Sequence, residues 1–326
     1  MIARPAAKRR ISRGGSLFRF AFACGLCFAR IPAVASGVDN DDSAVFAGPG
    51  RLLRFDYAND YFTGTDRYYT QGLGLQYFDP ILKRSPLMRA LPTLPGAEKY
   101  YGLILRQSGY TPTSLQSDAP LIGDRPFAAT LFLGHVIVSK DKERKLTLTS
   151  EFDAGMIGQA AGGKWEQVGI HRETGNLLPH GWDNQIRNDA VLDYYLRLEK
   201  TLASARDADF GAYVDATVGT LYDNAAAGVM GRVGAIGEGR RRFYLFGRAE
   251  NRLVGYDATL QGGLLNRHSP YTLTSPQVRR DVLRADVGVV LDMGRWAVEA
   301  TRTYMSREFI GGLSHEWVEI SVLRRF

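Results

Sequence analysis

The chain has 326 residues, 45% of them hydrophobic and 23% charged, and its 41 Lys and Arg outnumber its 34 Asp and Glu to give a formal net charge of +7. That excess sits in the first 35 residues, which hold seven basic side chains, no acidic one, and both cysteines, Cys24 and Cys27. Past residue 35 the charges balance and no thiol remains, so a basic nucleic-acid surface loses its support and disulfides, thiolate metal sites and cysteine nucleophiles are excluded.

In chain order, Arg4, Lys8, Arg9, Arg10, Arg13 and Arg19 precede an apolar stretch over 20–28, and Ala33-Val34-Ala35 follows as a small-x-small cleavage site. This is the order of a secretory signal peptide. The apolar run is too short to span a bilayer and Arg30 interrupts it, which argues against a transmembrane anchor. The expected division is a signal peptide over 1–35 and one domain over 36–326.

No run of 18 apolar residues occurs, so spanning helices are not expected. Period-two alternation recurs instead, in segments rich in Tyr, Val, Leu and Gly that turn-forming clusters separate. Leu53, Phe55 and Tyr57 oppose Arg54 and Asp56; Leu73, Leu75 and Tyr77 oppose Gly72, Gly74 and Gln76. Further segments are expected over 100–107, 127–138, 146–156, 191–202, 211–221, 229–236, 243–254, 282–293, 296–305 and 317–326. Twelve strands, an even number, predict an antiparallel up-and-down transmembrane β-barrel with both ends in the periplasm. A soluble β-sandwich also alternates, but the secretion signal and the number of long strands suit closure in lipid. Trp296 and Trp317 fall at strand starts, where an interfacial aromatic girdle would place them. The alternating last segment ends on Phe326, which resembles the signal read by the outer-membrane barrel assembly machinery. The connection over 79–99 is longer than a periplasmic turn should be; it carries Pro80, Pro86, Pro92 and Pro95 with Lys83, Arg84 and Arg89.

Strand parity puts the connections after the first, third and fifth strands on the exterior rim. These hold Asn59-Asp60 with Thr65-Asp66-Arg67-Tyr68-Tyr69-Thr70-Gln71-Gly72, then Gly123-Asp124-Arg125-Pro126-Phe127-Ala128, then Gly162-Gly163 with Gln167 and His171. In their order and spacing, Asn59-Asp60, Tyr69-Thr70-x-Gly72, Gly123-Asp124-Arg125, Gly162-Gly163, Gln167-x-x-x-His171 and Trp182-Asp183-Asn184-Gln185 resemble the outer-membrane lipid A 3'-O-deacylases, the LpxR family. The resemblance implies a twelve-stranded barrel that needs calcium and hydrolyses the ester holding the 3'-linked acyl chains of lipid A, within lipopolysaccharide of the outer leaflet. It also implies His171 as general base, with Asn59, Asp60, Thr70 and Gln167 around it.

The residue types suit that chemistry. A neutral imidazole can take the proton of an attacking water, and Gln167 lies one helical turn before His171. Among the five histidines, His135 sits inside a strand, and His180, His268 and His315 lack a polar constellation at matching spacing; taken alone, any histidine suits loop packing as well. No Gly-x-Ser-x-Gly elbow occurs, which favours water as the nucleophile. Asp60 is a hard oxygen donor for Ca2+, or a strand-end residue that caps the backbone. Thr70, Gln167 and Asn59 can donate to an oxyanion or orient water. The segment 108–124 contains no Lys or Arg, where better-known members of that family have a lysine. Arg125, Arg106 and Arg67 are the candidates to meet a lipid phosphate, unless the accepted lipid differs; Arg67 and Arg125 suit packing of the barrel wall and turn geometry equally. A phospholipase of the outer membrane and a non-enzymatic channel or structural barrel are the competing functions.

Overall fold

The computed structural model describes residues 46–64, 67–236 and 241–326; the expected signal peptide lies outside the described residues. Twelve strands form one closed antiparallel barrel in which sequence neighbours pair and β12 returns to β1. They are β1 (Leu52–Asn59), β2 (Tyr68–Phe78), β3 (Glu98–Thr111), β4 (Ala128–Asp141), β5 (Leu146–Ile157), β6 (Asp189–Ser204), β7 (Ala208–Gly219), β8 (Tyr222–Ala235), β9 (Arg242–Asp257), β10 (Asp281–Asp292), β11 (Trp296–Met305) and β12 (His315–Arg325). Closure pairs every strand edge, which a sheet in hydrocarbon requires because no water is there to take an unpaired N–H. No helix among the described residues is long and apolar enough to cross a membrane.

The eighth strand starts seven residues before the expected 229–236. Its first half runs through Ala225-Ala226-Ala227-Gly228, which lacks apolar alternation for a local reason. A Cβ on Gly228 would lie 2.4 Å from the Tyr213 ring carried by β7, so small residues are needed where that ring crosses.

Period-two alternation gives each strand a lipid face and a lumen face. Phe55, Leu75, Leu105, Leu133, Ile320 and Val322 are exposed on the outside. The lumen is packed with paired charges: Arg54 with Asp56 at 2.5 Å, Arg252 with Glu250 and Asp215 at 2.9 and 3.1 Å, and Asp286 with Arg284 and Arg248 at 3.0 and 3.1 Å. Apolar layers flank this network. Phe46 packs among Ile104, Val136, Tyr244 and Val290 toward one end, and Tyr69, Tyr110 and Trp317 pack together toward the other.

Trp296 is exposed at the start of β11, as a girdle residue should be, but Trp317 is 2% exposed. Its register places it on the lumen side, where it lies 4.8 Å from Tyr69 and stacks on His315 at 5.5 Å. One position of parity separates the two roles, and a tryptophan at a strand start fits either.

Connections at one end are mostly long, over 112–127, 158–188 and 258–280, and at the other mostly short, over 142–145, 205–207 and 293–295. Residues 79–97 break the short pattern with two 3-10 turns, Pro80–Arg84 and Leu87–Arg89.

Candidate active site

Three of the long-end connections converge beside β1, β2 and β3. The first begins where Asn59 ends β1: its side-chain oxygen accepts from the Tyr61 N–H at 2.7 Å and starts a 3-10 turn over Asp60–Thr63. Asp60 is 1% exposed, and its Oδ2 accepts from the Arg67 N–H at 2.6 Å, closing the loop. Thr70 stands at an irregularity in the β2–β3 register between Tyr69 and Gln71, which turns successive side chains out of strict alternation.

The third connection supplies helix α1 (Gly163–Thr174), capped at its end by Gly175 with φ 72°. The expected one-turn relation of Gln167 and His171 is therefore real, and both are buried. Gly163 lets the helix sit down: a Cβ there would lie 2.6 Å from Ala129 and 2.7 Å from the Trp182 ring. Ala129 shares the outward parity of Leu131 and Leu133, so α1 packs on the outer wall of the barrel and not over its mouth.

Register gives the same result for the strand residues. Asn59 pairs with Gln71 and Tyr57 with Leu73 on β2, and Leu73 pairs in turn with Gln107 on β3. All of these occupy the lipid-facing positions of Phe55, Leu75 and Leu105. Gln71 is nevertheless 2% exposed, sheltered from lipid at that height. The cavity between wall and helix has a volume of about 240 Å³ and is lined by Asn59, Asp60, Thr70, Gln71 and His171, with Tyr57, Tyr61, Phe62, Ile170, Thr174 and Asn176.

Hydrogen bonds orient the polar side chains. Trp182 Nε1 donates to Gln167 Oε1 at 2.7 Å, which aims Gln167 Nε2 at Thr70 Oγ1, 3.3 Å away. His171 Nδ1 lies 2.6 Å from the Leu177 carbonyl oxygen. A carbonyl only accepts, so Nδ1 carries a proton, and in the neutral ring Nε2 is the nitrogen with the lone pair.

Sequence reasoning missed Glu166, Gln71 and Gln107. Both carboxyl oxygens of Glu166 are sealed from solvent, and burial pushes its pKa up to about 7, with the Gln107 and Gln71 side chains opposing the shift. Two glutamines at outward positions in otherwise aliphatic alternation were the available signal. Trp182 was noted for its motif, without its hold on Gln167.

Arg67 and Arg125 do not line the cavity. Arg67 donates to the Ser314 carbonyl. Arg125 is buried between Glu308 and Thr259, both at 2.5 Å, with its guanidinium over the Tyr110 ring. Among the described residues no group of three His, Cys, Asp or Glu could hold a metal, and Asp60 is the single carboxylate of the cavity lining.

A family model described as outer membrane protein LpxR matches residues 20–326. The barrel is similar to the solved structure of LpxR from Salmonella typhimurium, at TM-score 0.70 and 22% identity, with 84% of this chain and 100% of that one covered. More distantly, it resembles the β domain of the Bordetella autotransporter BrkA, at 10% identity and TM-score 0.46, covering 85% of this chain and 99% of that one. A search of curated proteins gives no match.

Proposed function

The chain belongs to the LpxR family of outer-membrane proteins, and on that premise we propose that it is an esterase that removes the 3'-linked acyl chains of lipid A, using calcium and a water nucleophile. One observation carries the reading: His171, Asp60, Asn59 and Thr70 meet in a cavity on the lipid-facing wall, beneath α1. A site in that position takes its substrate sideways, so an acyl chain can stay in the bilayer while its ester enters the cavity. The long connections face the cell exterior in barrels of this kind, which puts the cavity beside the leaflet that holds lipid A.

In the reaction, a water oxygen attacks the ester carbonyl and its proton passes to His171 Nε2. The Leu177 carbonyl holds the ring and favours the imidazolium that forms. The tetrahedral oxyanion meets the Asn59 amide and the Thr70 hydroxyl, and Gln167 Nε2 holds that hydroxyl in place. As the carbon–oxygen bond to the sugar breaks, His171 returns the proton to the leaving oxygen, which gives a fatty acid and a free hydroxyl.

Asp60, Asn59 and Thr70 offer oxygen donors with one negative charge, a set that suits a hard cation such as Ca2+ completed by water or substrate oxygens. When bound, calcium would act as a Lewis acid on the ester carbonyl.

An outer-membrane phospholipase is the second reading, because the same sideways access suits any bilayer ester. An open channel is less well supported, since paired charges cross the lumen and apolar layers lie to either side of them. Mass spectra of lipid A from cells with and without the protein, and calcium-dependent release of fatty acid from lipid A against phospholipid vesicles, test the choice. Loss of the 3'-linked chains supports the proposal; release from phospholipid alone replaces it with the second reading, and release from neither removes both.

A further inference from the structure

The connection over 79–97 is long at the end where turns are short, and the proposed reaction makes no use of it. Its two 3-10 turns are set locally. Asp79 accepts from the Ile81 N–H at 2.8 Å at the start of the first, and the four prolines restrict the backbone along the whole stretch.

One side of the segment is fastened to the barrel. Met88 and Leu91 are buried against Ile137, with Leu103, Phe152 and Tyr194 packed around them. Leu103 pairs through β3, β4 and β5 with His135 and Phe152, and Phe152 pairs with Tyr194 on β6, all in the outward register of Leu105 and Leu133. The segment is therefore a strap across the outside of the wall. Ser150 Oγ donates to the Pro92 carbonyl at 2.7 Å, so the strap also takes up a hydroxyl whose outward position would otherwise face hydrocarbon.

The other side carries a different chemistry. Ile81 and Leu87 are 49% and 44% exposed. Lys83, Arg84 and Arg89 are exposed beside them, no acidic residue occurs between Pro80 and Ala97, and Lys99 is exposed at an outward position of β3. The flanking acids are occupied: Asp79 accepts from Tyr77 Oη at 2.7 Å, and Glu98 pairs with Lys142 at 3.0 Å. Four cations thus edge two aliphatic side chains on the lipid face, at the end whose short turns face the periplasm in such barrels. Aliphatic residues that enter the acyl region below a row of basic groups are the pattern of an interfacial anchor on anionic lipid.

We propose that the strap over 79–97, together with Lys99 at the start of β3, binds the phosphate headgroup of an anionic glycerophospholipid in the periplasmic leaflet, through Lys83, Arg84, Arg89 and that lysine, with Ile81 and Leu87 among its acyl chains. The site lies at the opposite end of the barrel from the proposed active site and does not depend on that activity.

The test is native mass spectrometry of the purified full chain in mixed micelles of phosphatidylglycerol and phosphatidylcholine in equal amounts. The wild type retains phosphatidylglycerol over phosphatidylcholine by about fivefold or more, the preference that a single basic group at the surface supplies. The variant Lys83→Gln/Arg84→Gln/Arg89→Gln/Lys99→Gln loses that preference while its barrel keeps the heat-modifiable gel mobility of the wild type. A salt titration of the wild type gives a measurement independent of any variant: the preference declines steeply with ionic strength. No preference in the wild type, a preference unmoved by salt, or a folded variant that keeps it overturns the proposal.

Discussion

Trp182 Nε1 donates to Gln167 Oε1 at 2.7 Å, and that bond decides which end of the Gln167 amide reaches Thr70. Free to rotate, the amide would present oxygen and nitrogen to Thr70 in turn. Trp182→Phe keeps an aromatic ring against Phe127 and removes the donor, together with the part of the indole that packs toward Gly163. Loss of one buried hydrogen bond costs about 1 to 3 kcal/mol, so esterase kcat/KM is expected to fall about tenfold, with an unchanged barrel by circular dichroism. Turnover equal to the wild type would mean that Thr70 and the helix backbone fix the amide without the indole.

His171→Ala is expected to fold and insert normally, because the strand ladder does not include α1, and to lose ester hydrolysis by about a hundredfold to ten-thousandfold, the usual contribution of a positioned base. The readout is fatty acid released from purified lipid A. Near-wild-type release would dismiss His171 as the base.

Asp60 has two parts to play, and two substitutions separate them. Asp60→Asn keeps an oxygen for the Arg67 N–H but removes the charge, so the calcium needed for half activity should rise about tenfold or more while the loop stays closed. Asp60→Ala should also open the loop and leave it sensitive to protease. A calcium requirement that is the same in Asp60→Asn and wild type would send the search for the ligand to other residues.

Glu166 gives a pH dependence with a definite sign. Its pKa is raised to about 7 by burial, so the folded state holds its proton more tightly than the unfolded chain does. That contribution is present in full below the ordinary glutamate range and is lost as pH rises through about 7. Docking of α1, followed by hydrogen exchange of the helix, should loosen between about pH 5 and about pH 8 in the wild type and much less in Glu166→Gln. Equal loosening in both would place the sensitivity on another group.

Parity makes a claim about sidedness. A cysteine at Glu173, exposed in the last turn of α1, should react with a membrane-impermeant thiol reagent in intact cells. This position is preferable to Gly175, whose φ of 72° a side chain would strain. A cysteine at Asp141, at the end of β4, should stay unlabelled until the outer membrane is permeabilised. The reverse pattern would invert the barrel and put the cavity in the wrong leaflet.

The barrel was legible in the amino-acid sequence because its determinant is local. Alternation in each segment fixes which side chains meet lipid, and twelve such segments, counted from the turn residues between them, give the strand number that the closed sheet has. Gln167 and His171 were legible as a pair for the same reason, since one turn of helix is a short-range relation. What lay beyond the sequence were relations between segments far apart in the chain. Trp317 reads as a girdle residue until pairing with β1 and β11 sets its parity and turns it into the lumen. Arg125 reads as a cation at an exterior rim until Glu308, 183 residues away, takes it up in a buried pair. The packing of α1 on the outer wall is of this kind too. It rests on a missing Cβ at Gly163, a small side chain at Ala129 and the ring of Trp182, three fragments of steric fit from separate segments. Only their meeting in space encloses Gln71, Gln107 and Glu166 on a face that the alternation alone assigns to lipid.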